Sequence, residues 1–210
     1  MINSELKKIG GRKPSRSEKA LLTREAIYRA AAEVVGKEGY MTASISKITS
    51  RAGIAQGTFY SYFDSRQDLF DQLLPHMGEE LIEYLHDRVT HSRDFFEVEE
   101  RGFRAFFEFL QTHPSFFRVL NEAEVVAPIA YKRHFNELVK HYLKSMGRSV
   151  KLGQIKNFKG RELEALVYML MAARSYLYLR YIKNVGKQKP KKMPQWLVEA
   201  YMKFVRDGID

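Results

Sequence analysis

The chain has 210 residues, 45% of them hydrophobic, which suits one large or two small domains with a real core. Its formal charge of +10 favours polyanionic partners, and the lack of cysteine excludes a disulfide framework, a thiolate metal site and a cysteine nucleophile, in keeping with a reducing cytoplasm. The longest apolar run, residues 165–173, falls well short of a membrane span, and the N-terminus lacks the apolar stretch of a signal peptide.

The positive charge gathers at the start. Residues 1–24 hold Lys7, Lys8, Arg12, Lys13, Arg16, Lys19 and Arg24 against Glu5 and Glu18. With Gly10, Gly11, Pro14 and several serines, residues 1–20 read as a flexible basic arm that follows phosphates or enters a minor groove. Thr23 is the expected N-cap of the first long helix. Ala26, Ile27, Ala30, Ala31, Val34 and Val35 then form a broad apolar stripe, and Gly39 closes it. Tyr40 is expected to pack beneath the hairpin that follows.

Residues 42–69, TASISKITSRAGIAQGTFYSYFDSRQDL, organise the rest. Ser44 is a natural N-cap, and Ile45, Ile48 and Ala52 lie on one face of a short helix. Gly53 supplies the left-handed backbone that a sharp turn needs, and Ile54 points back to the core. A second short helix starts near residues 55–56 and buries Phe59 and Phe63, four residues apart. Its outer face carries Gln56, Thr58, Tyr60 and Tyr62, all hydrogen-bonding side chains. This is the pattern of a helix-turn-helix, whose second helix enters the DNA major groove.

The order of Ile48, Ala52, Gly53, Ile54, Gly57, Thr58, Phe59, Tyr60, Phe63, Ser65, Arg66 and Leu69 resembles the DNA-binding domain of the TetR family, the tetracycline-repressor-like regulators. The resemblance covers roughly residues 20–70. Two positions depart from the commonest pattern: Thr49 stands where a small alanine is usual, and Tyr62 where histidine is common. The resemblance implies an all-α fold of about nine helices. A three-helix DNA-binding domain (21–66) would follow the arm, and a helical effector-binding and dimerisation domain (67–210) would complete the chain. The candidate DNA contacts are Ser44, Ser46, Gln56, Gly57, Thr58, Tyr60, Tyr62 and Arg66. Ser44, Tyr60 and Arg66 would mainly meet phosphates; Gln56, Thr58 and Tyr62 would reach bases or the adjacent backbone.

Ser65 with Asp68 resembles a capping box for the next helix, which carries Leu69, Phe70, Leu73, Leu74, Met77, Leu81, Ile82, Leu85 and Val89. Pro75 is expected to interrupt it and favour a kink. The body then reads as helical throughout: a phenylalanine-dense helix over 95–110, a break at His113 and Pro114, a helix over 129–146, a polar loop over 151–159, the most apolar helix over 161–183 and a last helix over 195–206. No repeats and no strand-like alternation are present.

The two C-terminal helices resemble those that form a four-helix dimer interface in the TetR family. Leu163, Leu166, Val167, Leu170, Tyr178, Trp196, Val198 and Tyr201 are the interface candidates, with the protein's own core as the other reading. Phe103, Phe107, Phe117, Tyr131, Phe135, Tyr168 and Arg174 are candidate lining for a pocket holding a small hydrophobic effector, with or without an acidic or CoA-like end; the alternative is filled core. Arg174 stands in an apolar segment, so it has a carboxylate partner such as Glu122 or Glu124, meets an acidic ligand, or snorkels to the surface. His134, Glu137 and His141 share a helix face, but without a fourth ligand they read as ordinary helix residues, and no metal or cofactor is expected.

The sequence therefore points to a DNA-binding transcriptional regulator, a repressor released by a hydrophobic effector, acting as a homodimer on a palindromic operator. The alternative is an architectural DNA-binding protein without an effector. No Ser/His/Asp order, phosphate-binding glycine loop or metal spacing supports an enzyme.

Overall fold

A computed structural model describes residues 15–183 and 192–209. Among these residues there are nine α-helices and no strand: α1 (Arg16–Glu38), α2 (Ile45–Ala52), α3 (Gln56–Phe59), α4 (Arg66–Val89), α5 (Phe95–Thr112), α6 (Phe116–Val126), α7 (Pro128–Lys151), α8 (Arg161–Leu177) and α9 (Gln195–Ile209). The all-α architecture is the expected one. No described helix is long and apolar enough to cross a membrane.

The chain divides into two compact units. The first combines residues up to Met77 with Ser115–Arg133, and the second combines Gly78–Pro114 with the residues from His134 onward. This differs from the domain limits of 21–66 and 67–210. The division falls inside α4, and α6 with the first part of α7 goes with the N-terminal unit. A continuous helix carries no linker signal, so composition could not mark the crossing.

In the first unit, α1 begins earlier than Thr23 suggests. Ser15 is the N-cap: its hydroxyl accepts from the Glu18 amide at 3.2 Å, and the Glu18 carboxylate accepts from the Ser15 amide at 2.7 Å. Thr23 lies inside the helix and donates its hydroxyl proton to the Lys19 carbonyl. Residues 16–20 are therefore helical rather than part of a flexible arm, and the remainder of that arm, residues 1–14, lies outside the described residues. The apolar stripe is buried as expected, and Gly39 ends α1 by donating its amide to the Val35 carbonyl.

The C-terminal end of α1 is capped from a distant segment. Arg118 on α6 donates to the Lys37 carbonyl at 2.9 Å, and its Nε donates to Glu122 at 2.6 Å. Glu122 also accepts the Tyr40 amide at 2.9 Å. Partial burial works against the Glu122 charge, but Arg118 and the Tyr40 amide outweigh it and hold the carboxyl below its usual range. Tyr40 is fully buried and packs edge-on against Phe70.

α4 runs without interruption through Pro75, which is itself buried beside Leu73, Leu74 and Met77. The missing proline donor removes one backbone bond, and the packing of these flanking side chains offsets that loss. In the second unit, α8 loosens into a π-helical turn over Tyr178–Ile182, which turns Tyr178 and Ile182 inward. The phenylalanine-dense α5 supplies Phe95, Phe103, Phe106, Phe107 and Phe109 to the core.

Candidate nucleic-acid interface

The hairpin is built from local signals. Ser44 caps α2 by accepting the Lys47 amide at 3.3 Å. Ile48 and Ala52 are buried, whereas Ile45 and Ile54 are half-buried. Thr49 fits an inward position normally given to alanine because its hydroxyl donates to the Ser46 carbonyl at 3.2 Å, so burial leaves no unmet donor. Gly53 ends α2 in the left-handed conformation, φ 72. A side chain there would be strained whatever the space.

α3 is a single helical turn. The chain continues through 59–63 with the Phe63 amide donating to the Phe59 carbonyl at 3.1 Å, so the two rings stay on one side. Phe59 and Phe63 are buried at 0% and 1% exposure. On the other side Gln56, Gly57 and Tyr60 are exposed, and Thr58 and Tyr62 are half-buried. Ser46 and Arg66 are exposed nearby in the sequence, and Ser44 is half-buried by its capping role. Arg66 opens α4 with its guanidinium over the Phe70 ring. Ser65 accepts the Asp68 amide at 3.0 Å as the capping reading expects, but the Asp68 carboxylate reaches back one residue further, to the Asp64 amide.

Gly57 is informative in a different way. Its φ is not positive, and a Cβ placed there would meet nothing within 4 Å. Neither backbone conformation nor internal packing requires glycine in this exposed turn, where it costs about 1 kcal/mol against alanine.

The residues assigned to an effector pocket are divided between the two units. Phe117 and Tyr131 belong to the first unit, and Phe103, Phe107, Phe135, Tyr168 and Arg174 to the second. Phe103 and Phe107 are fully buried and pack ring against ring at 4.8 Å, with Tyr201 stacked on Phe103 at 4.0 Å. That arrangement is filled core. Phe117 is buried too, and Tyr131 and Phe135 are half-buried. Tyr168 is 45% exposed and points outward from α8.

Arg174 has its carboxylate, but it is neither Glu122 nor Glu124. Glu122 is held by Arg118 in the other unit, and Glu124 is exposed. The partner is Glu99 on α5, 1% exposed, which accepts the Arg174 guanidinium and the hydroxyls of Tyr142 and Tyr201. Tyr142 also accepts from Arg174 at 2.9 Å. Burial opposes the guanidinium charge, but Glu99 outweighs it and keeps the Arg174 pKa well above its ordinary value. The Nε of Arg174 has no hydrogen-bond partner among the described residues. Sequence reasoning missed Glu99, although a signal existed: it lies four residues from both Phe95 and Phe103, on the apolar face of α5.

The interface candidates divide similarly. Leu166, Val167, Leu170, Tyr178, Val198 and Tyr201 are core residues of their own unit. The large apolar side chains left outside are Tyr168, Met169, Tyr176, Leu179 and Tyr181 from 161–183, and Trp196 and Phe204 on α9. His134, Glu137 and His141 do not converge: His134 is buried, His141 is exposed, and the exposed Glu137 pairs with Lys140.

Comparison with known proteins matches residues 27–73 to the family described as bacterial regulatory proteins, tetR family. The HTH-type transcriptional regulator YhgD of Bacillus subtilis (strain 168) is 25% identical over 186 residues, 85% of this chain and 94% of that protein. YvdT of the same organism, also an HTH-type transcriptional regulator, is 38% identical over 74 residues, where the match spans 35% of this chain and 38% of that protein's length. The crystal structure of the transcriptional regulator FadR from Bacillus subtilis in complex with stearoyl-CoA shares the fold, with a TM-score of 0.72 at 19% identity over 89% of this chain and 99% of that one. Residues 27–73 thus match the N-terminal domain of bacterial regulatory proteins of the tetR family, and the chain shares its all-helical fold with that regulator structure.

Proposed function

We propose that this regulator reads a palindromic operator as a homodimer and leaves it when a long-chain acyl-CoA-like effector binds. The observation that carries the DNA reading is the two-sided segment 56–63: Phe59 and Phe63 anchor it from behind, and Gln56, Gly57 and Tyr60 stand free in front. The open space at Gly57 supports close approach to a DNA backbone. In this reading Gln56 pairs with an adenine edge, Thr58 and Tyr62 meet neighbouring bases or sugars, and Ser44, Ser46, Tyr60 and Arg66 hold phosphates. A cytoplasmic location belongs to the same reading.

Selection of duplexes from a random-sequence pool, followed by footprinting, tests this reading. One protected palindrome with half-sites about 34–36 Å apart is the expected result. Protection without a boundary would mean an architectural protein instead. On that duplex, Gln56→Ala should relax base preference at one position by about 1–3 kcal/mol, whereas Arg66→Ala should weaken all sequences alike and lower the salt slope by about one. Two variants that leave both quantities untouched would remove these roles.

The homodimer reading rests on the outward apolar side chains of 161–183 and 195–206. Met169, Tyr176, Trp196 and Phe204 are each more than half exposed, and burying such surface against a second copy is favourable. Phe204→Asp should therefore shift sedimentation from dimer to monomer. A variant that sediments like the unaltered chain would send the interface elsewhere.

The effector reading draws on the stearoyl-CoA bound by the FadR relative and on the apolar character of the body. Arg174 is not assigned to the ligand, because Glu99 already engages it. Stearoyl-CoA should release the selected duplex at micromolar concentration, and free CoA should not; equal release by both, or by neither, overturns this assignment.

A further inference from the structure

A helix of one turn cannot fix its own direction in space. α3 has no side-chain bond at its N-cap, Ala55, so its tilt must be set from elsewhere. The far end of the segment is Phe63, and what touches Phe63 is a connected polar network. Tyr28 on α1 meets the Phe63 ring edge-on at 5.3 Å, and the Arg24 guanidinium lies 5.3 Å from the same ring centroid. Arg24 donates to the side-chain oxygen of Gln72 at 2.6 Å, and the Tyr28 hydroxyl donates to the same oxygen at 3.1 Å. The Gln72 amide nitrogen donates to Asp68 at 2.7 Å. The other Asp68 oxygen accepts the backbone amide of Asp64, the residue directly after Phe63.

The chain of bonds therefore leaves Phe63 through α1, crosses to α4 and returns to the backbone beside Phe63. The donors and acceptors fix the Gln72 amide in one orientation: a flip would set its NH2 against the guanidinium and its oxygen against the Asp68 carboxylate. Arg24 Nε also donates to the Tyr28 hydroxyl at 3.3 Å, which leaves that hydroxyl free to donate onward.

We propose that Gln72, held by Arg24 and Tyr28, is a positioning residue that sets the tilt of the DNA-reading segment without touching DNA itself. The proposal rests on the reading above that residues 56–62 contact DNA. Its consequence is a loss of discrimination, because base contacts depend on sub-ångström placement while phosphate contacts tolerate small rotations.

The test uses the full chain, the duplex it enriches from a random-sequence pool, and poly(dI-dC) as the non-specific competitor. Gln72→Met keeps length and removes both hydrogen-bonding ends. Affinity for the enriched duplex should fall about tenfold and the specific-to-non-specific ratio with it, while the slope of log affinity against log salt stays the same. Tyr28→Phe keeps the ring on Phe63 and removes one donor, so it should lose about threefold and remain folded. Arg24→Lys retains a donor for Gln72 and should stay close to the unaltered chain, whereas Arg24→Met should match Gln72→Met. Three outcomes overturn the proposal: an unchanged ratio in Gln72→Met, an unchanged ratio in Tyr28→Phe, or a salt slope lowered by about one in Arg24→Met, which would make Arg24 a phosphate ligand. If the unaltered chain enriches no duplex at all, it is the DNA reading that fails.

Discussion

Glu99→Ala should destabilise the protein by about 3–5 kcal/mol, the usual effect of removing one partner from a buried ion pair. The expectation follows from the surroundings of Arg174. Arg174, 8% exposed, would keep its charge and lose its only carboxylate among the described residues, and the hydroxyls of Tyr142 and Tyr201 would lose their acceptor in the same step. Glu99→Gln keeps the shape and one acceptor oxygen, so it should cost less. Urea denaturation followed by circular dichroism at 222 nm measures both. A Glu99→Ala loss under about 1 kcal/mol would mean that water reaches the guanidinium and that the network does not hold the unit together.

The second large effect is a pH dependence centred on His134. This side chain is 3% exposed, and burial pulls its pKa down from 6.5 to about 4. Gly78 leaves it just enough room, since a Cβ at that position would come within 2.1 Å of the His134 Nδ1. The folded protein therefore holds His134 neutral where the unfolded chain would take up a proton. This contribution to stability is complete above pH 6.5 and is lost as pH falls from there towards 4, by about 3 kcal/mol in total. His134→Gln should flatten that part of the stability–pH curve, and the difference between the two proteins isolates the histidine from other titrating groups. An imidazole resonance that titrates near 6.5 in the folded protein would contradict the assignment.

The parts that sequence reasoning foresaw are those governed by short-range rules. Ser44 as a cap, Gly53 as a left-handed turn and the Phe59–Phe63 spacing each need only a few neighbouring residues to be recognised. The misplaced start of α1 shows the limit of such rules. Ser15 and Thr23 are both plausible caps, and the charged first turns of the helix hid the true one among arm-like residues. Contacts between distant positions left weaker traces. Arg174 advertised the need for a partner, but Glu99 lies 75 positions away, and only its place on the apolar face of α5 set it apart from other glutamates. Helical spacing likewise revealed that 161–183 is apolar without telling which side looks inward. Leu166 and Leu170 went to the core, and Tyr168 and Met169, adjacent in sequence, went outside.

The cap that Arg118 places on the last turn of α1 bears on protein engineering. Regulators are recombined by transplanting a head onto a foreign sensor, with the cut made at the first plausible seam. Here a transplant of the first 77 residues would carry Tyr40 and the end of α1 away from Arg118 and Glu122, the residues that terminate them. A working hybrid would have to bring 115–133 along, so the exchangeable module in this protein is discontinuous in sequence.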